Sequence, residues 1–269
     1  MTQVVARAPI LSFVVLALAI SWGIWTPLVL GSTRPSGAAA WVIYYAGVIG
    51  PAAAALICAV LGSAVTPAAL LRRLSRWKLP FRWYAIAILL PFAVRGVAVA
   101  GVLLSQGASW RVALRPAETI ARITVLMVLL VPFEEIGWRG YLLPLLQRRW
   151  TPLASSVIVG GVWALWHLPL AWASVGYQRS DEPWRYMAYF VGTIIPVSCV
   201  ATWLFNRTGE SLLLVSLFHI AINLADFILV LPSRIGEPVL LVTSIVTTFV
   251  VGAAWWRDNE TVKQRRRRG

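Results

Sequence analysis

Long apolar stretches recur along this chain, and they constrain its fold more than any other feature of the sequence. A helix of about 20 apolar residues is long enough to cross the hydrocarbon core of a bilayer. Inside such a stretch only a helix satisfies every backbone group, and the chain lacks the alternation of apolar and polar residues that favours a membrane barrel. We therefore predict an all-α polytopic membrane protein.

We expect about eight transmembrane helices with a polar catalytic cavity inside the bundle. Their approximate bounds are Ile10–Leu30, Ala38–Leu61, Trp83–Leu104, Thr119–Leu146, Leu153–Ala173, Tyr186–Phe205, Leu212–Leu231 and Pro238–Trp256. No polar stretch is long enough for a second domain, so residues 1–269 are assigned to a single integral membrane domain. The motif-bearing core is expected at about 119–231.

The basic residues indicate orientation rather than a nucleic-acid partner. The net charge is +14, but the basic residues lie in short loops and at the C-terminus, as in cytoplasmic anchoring to a lipid bilayer. With eight spans, 15 basic residues fall on the side of both termini and six on the other side. This bias places both termini in the cytoplasm, and the usage of Arg, Ala and Trp favours a bacterial cell membrane.

Two adjacent carboxylates, Glu134 and Glu135, lie with Arg139 inside the fourth apolar stretch. Ionisable groups at membrane depth are costly, so they indicate a functional site. Glu135 and Arg139 are four residues apart and can form an ion pair on one helix face. Glu134 points away from Arg139 and is thereby available for chemistry.

The partners of Glu134 are predicted from other helices at the same depth. The only two histidines in the chain, His167 and His219, lie in predicted spans, and Asn223 follows His219 by one helical turn. At 1.5 Å per residue, Glu134 lies about 18 Å from the cytoplasmic end of its span, His167 about 21 Å, His219 about 10 Å and Asn223 about 17 Å. All four side chains can therefore meet in one layer within the membrane.

Such a layer supports hydrolysis of a carbonyl compound, most simply an amide. A carboxylate facing an imidazole can hold and deprotonate a water molecule. A second imidazole and an amide can donate hydrogen bonds to a developing oxyanion. One Glu and two His also match the ligands of many hydrolytic zinc sites, and the sequence leaves these two versions open. No Ser or Cys is indicated as a nucleophile, which favours water.

Three ordered motifs resemble those of a known family. Glu134-Glu135-x-x-x-Arg139, Trp163-x-x-x-His167 and His219-x-x-x-Asn223 are similar to the CPBP family, which comprises type II CAAX prenyl endopeptidases and bacteriocin-processing relatives. Order, spacing and an eight-helix core agree. The chain departs from the family pattern at Trp163, where the pattern has Phe.

The resemblance implies a role for each matching residue. Glu134 would be the general base, with His167 helping to hold the water. His219 and Asn223 would form the oxyanion site, and Glu135 with Arg139 would brace it as an ion pair. No cofactor is required in this version; in a zinc-dependent version Glu134, His167 and His219 would be the metal ligands.

The predicted function is that of an intramembrane endopeptidase acting on a peptide, a lipidated tail or a membrane protein. One alternative is a non-enzymatic membrane scaffold or bacteriocin self-immunity protein with the same fold. Another is an ion or proton transporter that uses the buried carboxylates as a relay. Transporters often carry inverted repeats, and none is visible in this sequence, which disfavours the last alternative.

Overall fold

Every regular element in the described part of the chain is helical. The computed structural model describes residues 2–30, 35–62, 64–106, 115–176, 180–230, 237–250 and 252. The helices are α1 (Thr2–Arg7), α2 (Pro9–Val29), α3 (Gly37–Val48), α4 (Gly50–Leu61), α5 (Pro67–Leu74), α6 (Phe81–Gln106), α7 (Ala117–Glu135), α8 (Leu143–Leu146), α9 (Pro152–His167), α10 (Pro183–Arg207), α11 (Leu212–Ile228) and α12 (Glu237–Val250). A π-helical segment, Ile136–Leu142, joins α7 to α8, and a 3₁₀ segment, Leu168–Trp172, continues α9.

These helices form the predicted all-α polytopic membrane protein. Among the described residues, five stretches are long and apolar enough to span a membrane: Pro9–Val29, Gly37–Leu61, Phe81–Ser105, Pro152–Trp172 and Pro183–Arg207. Helices α11 and α12 are apolar but shorter, and α7 continues through the π segment into α8. The count of eight spans stays a prediction, as do the orientation and the single domain. The end of the eighth predicted span, Trp256, and the basic C-terminal tail lie outside the described residues.

Helix starts follow local chemistry that is visible in the sequence. The hydroxyls of Thr66, Thr151 and Ser211 accept backbone N–H groups at 3.2 to 3.3 Å at the starts of α5, α9 and α11. Pro67 and Pro152 occupy the first helical positions, where a missing N–H costs nothing. These caps fix where the loops end and therefore the depth at which each helix presents its polar residues.

Close helix packing brings the three motifs together. Helix α9 packs along α10, where Gly160 lies so near Ile195 that an added Cβ would stand 3.0 Å from its Cα. Helix α11 packs against both α6 and α7, and α2 packs against α4. Small residues at helix contacts allow such approach in membrane proteins. The helices carrying Glu134, His167 and His219 consequently surround one interior space.

A buried arginine of the surface helix α5 forms a hydrogen bond to the π segment that follows α7. Arg73 donates from Nε to Glu210 Oε2 and from Nη1 to the carbonyl oxygen of Gly140, both at 2.7 Å. Leu71 and Trp77 remain exposed, as expected for a basic amphipathic stretch at a membrane interface. Arg73 therefore packs with its face of α5 toward the π segment, to which Gly140 belongs.

Large apolar side chains cover the outside of the bundle. Leu11, Leu104 and Phe249 are examples, with 64%, 87% and 75% of their surface exposed. Exposed apolar surface of this extent is unusual in soluble monomers and suits contact with lipid. Cys58 and Cys199 are buried and do not form a disulfide with each other.

We expect Gly137→Ala to destabilise the protein and lower its activity. An added Cβ would stand 2.8 Å from the carbonyl oxygen of Pro51, a backbone atom of α4 that cannot rotate away. Overpacking of this kind costs about 1–3 kcal/mol and would shift the π segment that follows Glu135. Thermal unfolding in detergent measures the loss. Gly161→Ala is the matched control, since nothing lies within 4 Å of its added Cβ; equal stability of the two variants would contradict the prediction.

Candidate active site

A cavity of about 510 Å³ is lined by residues of α3, α6, α7, α9, α10, α11 and α12. The side chains that line it include Glu134, His167, His219 and Asn223. These residues come from three helices and are separated by as many as 89 positions in the chain. The structure thus brings all four candidate catalytic residues to one space, which is the arrangement that their estimated depths predict.

The motif helix changes its winding directly after the two carboxylates. Helix α7 ends at Glu135, and the π segment that follows carries Arg139. Single π turns are rare in proteins, and those that occur are often found at functional sites. Arg139 Nη1 donates to Glu135 Oε1 at 2.9 Å and to Oε2 at 3.2 Å, and both side chains are fully buried. The ion pair indicated by the spacing of these residues is therefore present.

Arg139 is stabilised by an aromatic ring as well as by Glu135. Its Cζ lies 4.5 Å from the centroid of the Trp163 ring, within the range of a cation–π contact. Its Nε and Nη2 atoms have no hydrogen-bond partner among the described residues. A buried charge is strongly destabilising when it lacks partners. The contacts with Glu135 and Trp163 therefore stabilise this guanidinium in its buried position.

Glu134 is held through one of its two oxygens. The indole Nε1 of Trp163 donates to Glu134 Oε2 at 2.9 Å. Oε1 has no hydrogen-bond partner in the described part of the chain, and the residue lines the cavity. An ionised carboxylate only accepts hydrogen bonds. Glu134 therefore has one oxygen, Oε2, bound by Trp163 and one oxygen, Oε1, that can accept a hydrogen bond from a molecule in the cavity.

The hydrogen bond of His167 selects its tautomer. His167 Nδ1 lies 2.9 Å from the carbonyl oxygen of Trp163, one turn earlier in α9. A carbonyl oxygen only accepts, so Nδ1 carries the hydrogen and Nε2 keeps a lone pair in the neutral ring. The Trp166 and Phe190 rings meet His167 edge-on, with centroids at 4.6 and 4.9 Å. These contacts hold the imidazole so that Nε2 remains as an acceptor.

His219 is bound to Glu135 rather than to Glu134. Its Nδ1 lies 2.8 Å from Glu135 Oε1, the oxygen that also receives the Arg139 hydrogen bond. Because the carboxylate accepts, Nδ1 of His219 is the donor and Nε2 is left without a partner among the described residues. Glu135 thus orients a histidine of another helix in addition to neutralising Arg139. The sequence predicts only the second of these contacts.

Asn223 lines the same cavity but makes no hydrogen bond to His219. Its Nδ2 lies 3.4 Å from the sulfur of Met127, a weak acceptor. Glu134 and His167 both line this cavity of about 510 Å³, and no direct hydrogen bond joins them in the described ranges. The site therefore leaves room for a small molecule such as water between its polar groups.

The outer part of the cavity carries a second charged pair. Arg95 Nη1 lies 3.1 Å from Asp226 Oδ1, and Arg95 Nε donates to the carbonyl oxygen of Leu229 at 2.8 Å. Both residues line the cavity. Arg95 in α6 and Asp226 in α11, two charged residues outside the three motifs, thus neutralise each other.

The zinc version of the site requires three protein ligands on one ion. Within the described ranges, no group of three or more His, Cys, Asp or Glu side chains is placed to hold a metal ion. Glu134, His167 and His219 as arranged do not fit such a centre. The Nδ1 hydrogen bonds of both histidines are nevertheless of the type that metal-bound histidines make. Chelation is therefore the measurement that decides this alternative.

Trp163 makes contacts in the site that the sequence analysis did not predict. The sequence shows it only as a departure from the family pattern, whereas the structure places its ring against Glu134, Arg139 and His219. Its spacing of one helical turn before His167 was a usable signal, because both side chains must share a face of α9.

Comparisons with known proteins find relatives for the motif-bearing part of the chain. Residues 116–225 match a family model described as type II CAAX prenyl endopeptidase Rce1-like. The chain is also 34% identical over 105 residues to CAAX prenyl protease 2 of Methanococcus maripaludis, which is 38% of this chain and 38% of that relative. The matched segment includes all three motifs and most of the predicted core, so the resemblance to the CPBP family is confirmed over this part of the chain.

Proposed function

We propose that this chain, whose residues 116–225 match the Rce1-like endopeptidases, is an intramembrane endopeptidase that cleaves peptide bonds with activated water. The observation that carries the proposal is a pair of open acceptors on one cavity. Glu134 Oε1 and His167 Nε2 are the free atoms of side chains whose other polar atoms are already hydrogen-bonded.

Two acceptors suit the binding of a nucleophilic water. A water molecule that donates one hydrogen to Glu134 and the other to His167 keeps its lone pairs for the substrate carbonyl carbon. As the oxygen attacks, Glu134 takes the proton and later returns it to the leaving amine. Trp163 keeps the carboxylate in the orientation that this transfer needs.

Two other residues of the cavity lining can supply donors for the oxyanion. Asn223 has an amide N–H₂ group, and His219 donates from Nε2 when both ring nitrogens carry hydrogen. Glu135 holds Nδ1 of His219, so Nε2 is the ring nitrogen left to the cavity.

The proposed substrate is a peptide, a lipidated tail or a segment of a membrane protein. The relative from Methanococcus maripaludis carries the name of a prenyl protease. In this chain the cavity lining combines the polar cluster with apolar side chains such as Leu126, Val131 and Ile222. An extended peptide with an apolar residue or lipid beside the scissile bond suits this lining.

Cleavage in H₂¹⁸O tests the proposal. Purified protein is incubated with peptides that carry or lack a prenyl group, and the products are identified by mass spectrometry. We expect one ¹⁸O atom in the new carboxyl group, since the peptide bond is hydrolysed by water. His167→Ala should lower kcat by about 10²-fold, because the water loses one of its two acceptors. If His167→Ala cleaves a genuine substrate as fast as wild type, the proposed mechanism is wrong.

Three further measurements separate the remaining alternatives. Loss of cleavage on chelation, with recovery on adding zinc, would favour the metal-dependent version. A cellular phenotype that survives Glu134→Ala would favour the scaffold or immunity function, which needs the fold and not the chemistry. A proton-transport function would instead appear as Glu134-dependent acidification of proteoliposomes without any cleavage.

A further inference from the structure

Trp163 lies at the centre of the polar cluster. Its side chain is 3% exposed, and its indole contacts a residue of each of the other two motifs. Nε1 donates to Glu134 Oε2 at 2.9 Å, the ring faces Arg139 at 4.5 Å, and the His219 ring meets it edge-on at 4.9 Å. The indole of Trp163 thus joins all three of these groups.

The contact with Glu134 is the one that depends on an indole. The ring contacts to Arg139 and His219 need only an aromatic face, which Phe also provides. The hydrogen bond to Glu134 needs an N–H group, which Phe lacks. Glu134 has no other hydrogen-bond partner among the described residues, so this bond alone fixes the plane of its carboxylate.

The remaining contact of Trp163 does not involve its side chain. His167 donates to the backbone carbonyl oxygen of Trp163, a contact that any residue at this position can make. Replacing the indole by a benzene ring therefore removes the bond to Glu134 and leaves the tautomer of His167 unchanged.

We infer that Trp163 is a positioning residue for the general base. Its indole N–H occupies Oε2 of Glu134 and thereby aims Oε1 at the water in the cavity. This inference rests on the proposed function. A reacting group held by a hydrogen bond stays near the attack geometry, whereas a free carboxylate samples other rotamers and loses rate without losing substrate affinity.

The test is a comparison of Trp163→Phe with Trp25→Phe. Trp25 is a fully buried tryptophan of α2 that donates from its indole to the carbonyl oxygen of Tyr44 at 2.9 Å, so the same chemical change is made away from Glu134. We expect Trp163→Phe to lower kcat by about 10- to 100-fold with KM changed by less than about twofold, as found when outer contacts of an active site are removed. Trp25→Phe should keep kcat within about twofold of wild type.

A second background separates positioning from a general structural effect. In Glu134→Ala the carboxylate is gone, so Trp163→Phe should cause no further loss of the residual cleavage. A purely structural role would lower cleavage by the same factor in both backgrounds. Equal kcat for wild type and Trp163→Phe, or equal losses in both backgrounds, would overturn the inference while leaving Glu134 as the base. Full activity of Glu134→Ala would overturn the proposed function and this inference together.

Discussion

Replacing Glu134 by glutamine is expected to lower kcat by about 10²- to 10⁴-fold, the usual contribution of a general base. Glutamine has the shape of glutamate, and its carbonyl oxygen can still accept the hydrogen bond from Trp163 Nε1. It cannot take a proton from water at neutral pH. KM should change little, because the volume and contacts of the side chain are kept. Steady-state kinetics on a cleaved peptide measure both constants.

Glu118→Gln is the matched control for this variant. Glu118 lies in the first turn of the same helix and forms an exposed ion pair with Arg122. Exposed pairs contribute little, so kcat should stay within about twofold of wild type. Residual activity of Glu134→Gln above about one hundredth of wild type, the lower bound for a general base, would mean that another group removes the proton.

Replacing Glu135 by alanine is expected to lower both stability and activity. Glu135 is fully buried and is bound by Arg139 at 2.9 Å and by His219 at 2.8 Å. Its removal leaves the buried guanidinium without its ion-pair partner, and breaking a buried pair costs about 3–5 kcal/mol. It also frees the His219 ring to rotate. Unfolding in detergent and cleavage kinetics measure the two losses separately.

A double variant distinguishes the two effects of Glu135. In Glu135→Ala/Arg139→Leu the orphaned charge is gone, so part of the lost stability should return. Activity should not return, because His219 still lacks the acceptor that orients it. Glu118→Ala, which breaks an exposed pair in the same helix, should cost less than about 1 kcal/mol. A stability loss for Glu135→Ala no larger than that of Glu118→Ala would contradict the expectation.

The helices of this protein can be predicted from its sequence because each depends mainly on residues within it and at its ends. Apolar length predicts the spans, and the hydroxyl and proline residues at Thr151 and Pro152 mark where α9 begins. The ion pair of Glu135 with Arg139 is equally local, since both residues belong to one continuous helix. Depth estimates from helical rise likewise predict that the motif residues meet in one layer, and they line one cavity.

Features that depend on contacts between helices could not be predicted in this way. The sequence does not show that His219 bonds to Glu135, 84 positions away, or that Arg73 reaches the carbonyl oxygen of Gly140. The π winding of Ile136–Leu142 has no residue pattern of its own. The break between α3 and α4 at Ile49 was also absent from the prediction, although Pro51 lies beside it.

The sequence by itself determined that this chain is a helical membrane protein with Glu134, His167, His219 and Asn223 at similar depth. Hydrophobic length and helical rise are properties of single segments, so no knowledge of neighbours is needed. Only the tertiary structure decided which oxygen of Glu134 is free, which nitrogen of each histidine faces the cavity, and that Trp163 donates a hydrogen bond to Glu134. Rotation of a helix about its axis is set by packing against other helices, and that rotation selects the hydrogen-bond partner of every buried polar atom.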